Sequence, residues 1–232
     1  MARLDNVQHA ALRLRRGHGA RFGEAVNQVA VFASKFAQVQ REYPILFART
    51  PDGALQAVAI LGFDRDENLF LDGERWDAAY VPALFRHRPF TIGAADGEQV
   101  VCVDLADARV APDDEPGAPV FKPHGGNAPA LEGALEALRT LQAGAALAAP
   151  MTTVFDELAL VEPVTLKVQF DENRGVDFDG YLAVVPEKIA ALDGPALARL
   201  NAARLLDIAV FAAASLGTMP RLVARKRRKM GG

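Results

Sequence analysis

The sequence predicts an α+β fold: an antiparallel meander and hairpins packed with several helices, among them a long C-terminal helix. Three observations carry this. Short apolar runs alternate with turn-forming clusters of proline, aspartate, asparagine and glycine. Leu131, Leu135, Leu138 and Leu141 recur at spacings of four and three, as one face of a helix requires. Strands and helices do not alternate strictly, which argues against a doubly wound parallel sheet.

In chain order, residues 1–27 read as a polar, arginine-rich lead-in. Gln28 to Phe32 has the composition of a short strand, and Ser34 stands where a helix over Lys35 to Arg41 would take its cap. Pro44 ends that helix, because the residue before proline avoids the helical region. Ile45 to Ala48 and Leu55 to Phe63 are strands joined by the turn Thr50-Pro51-Asp52-Gly53, and Asn68 to Leu71 is expected to add a third strand. Pro82 suits the first turn of a short helix. Phe90 to Ile92 then pairs with Val100 to Val103 across Ala94-Ala95-Asp96-Gly97.

Five prolines and three glycines between Ala111 and Pro129 mark a loop excursion. The leucine-patterned helix follows, and Pro150 is expected to break it before a second short helix over Thr152 to Leu158. Val164 to Phe170 and Gly180 to Val184 form a hairpin across Asp171 to Gly175. Pro186 opens a helical turn, and Pro195 to Leu216 reads as a long helix ended by Gly217 and Pro220. The expected organisation is a lead-in (1–27), one domain (28–220) with a loop near 111–129, and a basic tail (221–232).

Composition narrows the function classes. Half of the 232 residues are hydrophobic and 24% are charged, the balance of a globular protein. Cys102 is the one cysteine, so neither an intramolecular disulfide nor a paired-cysteine zinc site is available. Its apolar run, Val100 to Val103, reads as core. The stretch Met1 to Gly23 is interrupted by Asp5, Arg13, Arg15, Arg16 and Arg21, unlike a secretory signal. Leu205 to Met219 is short for a membrane crossing and carries Asp207. A soluble, cytoplasmic protein is expected.

Six of the 26 basic residues fall in the last twelve positions, where no acid occurs, leaving 20 basic against 29 acidic residues before them. An acidic body ending in a solvated basic tail is not the pattern of a nucleic-acid enzyme, whose basic residues spread over the folded body.

No catalytic set emerges. The two serines, Ser34 and Ser215, occupy no nucleophile elbow. His9, His18, His87 and His124 lack metal-ligand spacing. The acidic run from Asp64 has Leu69 where a calcium loop turns on glycine and Arg75 where it ends on glutamate. Gly17, Gly19 and Gly23 miss the dinucleotide spacing. Neither a cofactor nor a metal is expected.

The chemistry that does concentrate is aromatic and basic: Glu42-Tyr43-Pro44, then Trp76, Tyr80, Pro82, Arg86, Arg88 and Phe90. Tryptophan, tyrosine and arginine carry binding hot spots because they join large apolar area to a few directional donors. Tyr43, Trp76, Tyr80 and Arg86 are therefore the candidate partner-binding residues. The competing reading is that Trp76 and Tyr80 anchor the helical segment onto the meander.

Arg41 to Ala48, Leu61-Gly62 with Glu67 to Phe70, Trp76, Tyr80-Val81-Pro82, Arg88-Pro89-Phe90, Glu157 to Pro163 and Gly180-Tyr181 together resemble the SapC family, from about Gln28 to about Gly217. The family name implies association with a bacterial surface layer, and no reaction, cofactor or catalytic set comes with it. Members tend to be encoded near outer-membrane nutrient receptors and flavin halogenase-like proteins of proteobacteria. That implies an accessory role in envelope uptake or in modifying a peptide or protein partner. A peptide-transporter permease of the same name spans membranes repeatedly, unlike this chain.

The leading expectation is a non-enzymatic binding or accessory protein recognising a protein or peptide. The alternatives are an enzyme acting on a peptide or small metabolite in a pocket between the two halves, and contact of the basic tail with an anionic surface or nucleic acid.

Overall fold

The computed structural model describes residues 1–95, 97–112, 114–172 and 174–231. Asp96 of the expected strand-pair turn, Asp113 of the proline-rich loop, Asn173 of the hairpin loop and Gly232 of the tail lie outside the described residues. The fold is α+β, with antiparallel sheets and helices. The chain divides into two compact units. The first comprises 1–24, 71–77 and 81–142; the second comprises 25–70, 78–80 and 143–232.

The second unit is built on a five-stranded sheet in the order Val161–Gln169, Gly175–Val184, Ile45–Arg49, Leu55–Ile60, Gln28–Ala30. Ile45, Leu46 and Phe47 are all fully buried, so this strand is covered on both faces. Its turn into Leu55–Ile60 is closed by Gly53 N donating to Thr50 O at 2.8 Å, with Gly53 at φ +84°, where glycine carries no steric penalty. Ser215 Oγ accepts from Ile45 N at 2.8 Å and donates to Ala212 O at 2.6 Å, joining the helix Leu206–Ser215 to the strand.

Asn68 to Leu71 is not a third strand. Asn68 Oδ1 accepts from Phe70 N at 3.0 Å and Glu67 Oε2 from Phe63 N at 3.1 Å. These local bonds curve the backbone away from a ladder. Leu71–Asp72 pairs only with Arg75–Trp76, and the place beside Ile45–Arg49 is taken by Gly175–Val184 from the other end of the chain. Ser34 caps no helix either: the local helix is a 3-10 turn, Ala33–Lys35, running into Phe36–Val39 with no side-chain cap.

Pro150 breaks nothing; it lies inside one helix, Pro129–Glu157, of 29 residues. An interior proline costs roughly 3 kcal/mol through one lost bond and a clash with the preceding turn. Burial outweighs that on both sides of it, by Met151, Val154 and Phe155 in the second unit and by Leu131, Ala134 and Leu138 in the first. Thr152 Oγ1 bonds Ala148 O at 2.9 Å and accepts from Leu55 N at 2.9 Å, a further anchor just past the proline.

The C-terminal region differs most from expectation. Asp193 caps Gly194–Ala202 through Ala196 N at 2.9 Å. The break falls at Arg204, in the left-handed region at φ +56°, rather than at Gly217. From Leu206–Ser215 the chain continues helically through Leu216–Thr218 into Met219–Gly231. Pro220 is the second residue of that last helix, where a missing N–H forfeits no bond.

By length and composition the 26-residue run Leu206–Gly231 is apolar enough to cross a membrane, with an 18-residue window of mean hydropathy 1.4. Leu205 to Met219, the apolar stretch the sequence marks as too short to cross, is thus extended by the last helix. In this structure it is built into the second unit. Lys226 reaches Asp64 at 2.5 Å and Glu67 at 2.9 Å, Arg225 lies 4.5 Å over the Phe70 ring, and Arg227 donates to Phe170 O at 2.8 Å. Burial lowers the Lys226 ammonium, but the bonds to Asp64 and Glu67 outweigh it and leave its pKa raised. The supposed tail is a packed helix.

In the first unit, Ala2–Arg3, Glu98–Val103 and Phe90–Ala95 form a three-stranded sheet, and Arg13–Leu14 pairs with Ala118–Pro119. Leu14, Phe90, Val103, Val120, Leu131, Ala134 and Leu138 form its core, with Ala2, Leu4 and Leu12 packed against it. The polar lead-in thus supplies two strands, one core side chain and three more packed against the core. Cys102, opposite Thr91 in this sheet, is only half-buried.

Two glycines of the long helix respond oppositely to substitution. A Cβ on Gly144 overlaps Phe32 Cβ and Cγ, atoms too close to the backbone to swing away, whereas one on Gly133 meets only Arg86 Nη2 at 3.9 Å. Gly144→Ala is expected to lower stability by about 1–2 kcal/mol, overpacking exceeding the helix-propensity gain. Gly133→Ala is expected to raise it by up to about 1 kcal/mol. Urea denaturation of the two variants checks both signs.

Candidate functional site

The first unit gathers arginines from three separate stretches, one of them paired with a buried carboxylate. After Arg13–Leu14 the chain turns at Gly17, φ +85°, where His18 N donates to Glu74 O at 2.9 Å. The 3-10 turn Ala20–Phe22 and Gly23, φ +73°, then fold Glu24 inward. Glu24 is 0% exposed: Gly19 N donates to it at 2.7 Å, His18 Nδ1 lies 3.1 Å away, and Arg109 forms an ion pair with it. A buried carboxylate persists only when paired and hydrogen-bonded in this manner.

Arg109 is held from several sides. Its guanidinium lies 4.3 Å over the Phe22 ring and its Nη1 donates to Gly17 O at 3.2 Å. Its backbone N–H bonds Asp107 Oδ1 at 2.8 Å. Burial pushes the Arg109 pKa down from the ordinary value, and Glu24 opposes that shift. Its Nε is buried and makes no hydrogen bond among the described residues.

The neighbouring arginines are held by acids too. Arg88 donates to Asp107 Oδ2 and to Phe22 O, each at 2.9 Å. Arg15 makes two bonds to Glu115, at 2.6 and 3.1 Å, and one to Ala108 O at 2.7 Å. The Arg15–Glu115 bonding holds the Glu115 carboxyl below its usual range and raises Arg15. Arg86 reaches Glu136 at 3.0 Å. Arg16 is exposed, and its side chain has no partner among the described residues.

These side chains border one cleft of about 350 Å3 within the first unit. Its basic wall is Arg15, Arg16, His18, Arg86, Arg88 and Arg109; Leu14, Phe85 and the helix residues Ala130, Gly133 and Ala134 supply an apolar wall. Such an arrangement holds an anionic group by charge-assisted hydrogen bonds while an attached apolar part leaves water. Among the described residues no three His, Cys, Asp or Glu side chains are grouped to hold a metal ion.

Of the four residues expected to bind a partner, only Arg86 lines this cleft. Trp76, 7% exposed, packs behind it, its ring 5.4 Å from both His18 and Phe85. Tyr43 is fully buried in the second unit, 4.6 Å from the Phe70 ring, and its hydroxyl donates to the Tyr80 carbonyl. Tyr80 is half-buried. The expectation that Tyr43 and Trp76 present a surface is corrected: burial of their large apolar area makes them interior anchors.

The SapC family model matches residues 4–222. The chain belongs to the SapC family. The SapC match extends beyond the stretch Gln28 to Gly217 at both ends, and every residue named around the cleft falls inside it. The arginine-rich start is therefore part of the SapC segment rather than an appendage. No curated protein and no solved structure matches the chain significantly.

Removing the buried carboxylate tests the role of Glu24. Glu24→Ala leaves Arg109 buried without its counter-charge and is expected to cost about 3–5 kcal/mol. The double variant Glu24→Ala, Arg109→Met is expected to recover at least half of that loss in chemical denaturation.

Proposed function

We propose that this SapC-family protein is a non-enzymatic binding protein that recognises a protein or peptide partner, with the arginine cleft of the first unit as its recognition site. The single observation behind this reading is the pairing of five arginines with an apolar wall in one cleft. Four of those arginines are already oriented by Glu24, Asp107, Glu115 and Glu136. Pre-orientation reduces the entropy lost when a ligand docks. Arg86 contacts the partner directly in this proposal, while Trp76 supports the wall. The proposed setting, a bacterial envelope or nutrient-uptake system, rests on what the family resemblance implies.

Affinity capture from the native cells tests the reading. Arg16→Glu replaces an exposed side chain, so the fold is retained, which circular dichroism verifies. Loss of a charge-assisted contact of about 1.5–3 kcal/mol predicts partner recovery reduced about 10- to 100-fold. Equal recovery by the folded variant would exclude the cleft.

A second reading draws on Arg221 and Arg228, exposed on the last helix and without partners among the described residues. They support contact with an anionic surface or nucleic acid. Deleting 221–232 is a poor test, because it strips the buried Glu67 of Lys226. The double charge reversal Arg221→Glu, Arg228→Glu is expected to abolish salt-sensitive retention on anionic vesicles or duplex DNA, and unchanged retention would sink this reading.

A further inference from the structure

We propose that the cleft takes the free C-terminal carboxylate of a peptide or protein chain ending in a hydrophobic residue. The inference rests on the binding reading above and names its ligand.

Charge balance sets the anion. Five guanidiniums line the cleft, and four carboxylates, Glu24, Asp107, Glu115 and Glu136, are paired with four of them. Among the described residues the one left over is Arg16, so one further negative charge balances this set of arginines. A phosphate ester brings a charge of about −1.5 to −2 and would have to pull further arginines from their acids. Guanidinium forks also match a planar carboxylate two-to-two. Arg109, in the same wall, keeps a buried Nε–H with no acceptor among the described residues. That N–H has no surface open to the cleft, so the anion is met by the other guanidinium edges of the wall.

The apolar wall sets what carries the anion. Leu14, Phe85, Ala130 and Ala134 face the same 350 Å3 as the arginines, a volume at the low end for ligand sites and scaled to one terminal residue rather than a long segment. A chain terminus places its carboxylate and its last side chain on the same carbon, so one reaches the arginines while the other covers the apolar wall. An internal aspartate or glutamate would instead bring two polar backbone amides against that wall, where nothing satisfies them.

Gly133 provides a block that does not threaten the fold. Its position faces the cleft, a Cβ there makes only an ordinary contact, and leucine is a better helix former than glycine. Gly133→Leu therefore fills the cleft while leaving thermal stability equal or higher.

The experiment measures anisotropy of N-terminally fluorescein-labelled hexapeptides ending in leucine, valine or phenylalanine, as free acids and as C-terminal amides, on the full chain and on Gly133→Leu. The expected result is saturable binding of the acids, weakened at least tenfold by amidation and at least tenfold by Gly133→Leu. Inorganic phosphate at the ionic strength of a sodium acetate control is expected to compete no better than that control.

Equal binding of acids and amides, both lost in Gly133→Leu, would overturn the carboxylate inference and leave the binding reading standing. Absence of peptide binding, with native partner recovery still dependent on Arg16, would overturn it in the same way. Phosphate displacing the peptides well ahead of acetate would overturn it in favour of a phosphorylated ligand. Absence of peptide binding together with Arg16-independent recovery would remove both readings.

Discussion

The buried Glu24 carboxylate is the constraint on which the first unit depends. Desolvating a carboxylate costs several kcal/mol, and only good geometry repays it. Arg109 supplies the counter-charge, Gly19 N a bond of 2.7 Å and His18 Nδ1 a contact at 3.1 Å. Satisfying Glu24 therefore fixes the turn from Gly17 to Gly23 against Arg109. Through Phe22, whose ring lies under Arg109 and whose carbonyl accepts from Arg88, it also positions the next arginine. One buried charge thus organises residues that the sequence scatters from 17 to 109.

The same pairing explains how so many cations share one cleft. Unpaired guanidiniums at this separation would repel one another, and each would be free to rotate into water. Acids at Asp107, Glu115 and Glu136 remove most of that repulsion and hold the forks in place. The pairs with Glu115 and Glu136 are exposed to water and screened, and contribute little to stability. Their importance lies in orientation. Small residues on the adjoining helix, Ala130, Gly133 and Ala134, leave the space that larger ones would fill.

Much of the fold was legible in short-range signals. Thr50 to Gly53 specified a tight turn, Phe90 to Val103 a strand pair and Pro195 a helix start, because each depends on residues a few positions apart. Pro150 and Gly217 misled for the opposite reason: their local penalties, about 3 and about 1 kcal/mol, are exceeded by tertiary burial. Pro220 falls in the first turn of a helix, where it is tolerated. The cleft was hardly legible. Arg86 and Arg88 stood out among aromatics, but Arg15, Arg16 and Glu24 looked like a polar leader, and Arg109 carried no pattern at all. What unites them is the long-range desolvation of Glu24, which has no periodicity to read. The one hint was compositional, an arginine-rich start also containing Leu4, Leu12 and Leu14 at core-forming positions.

The central claim is that an anionic group of the partner enters this arginine cleft. The most direct measurement is the 15N-detected signal of the arginine Nε–H groups during titration with a hydrophobic-ended, free-acid hexapeptide. The account predicts saturable shifts confined to Arg15, Arg16, Arg86, Arg88 and Arg109, while Arg49, Arg174 and Arg199 of the second unit stay still. Shifts confined to the second unit, with the cleft arginines unmoved at saturation, would contradict it.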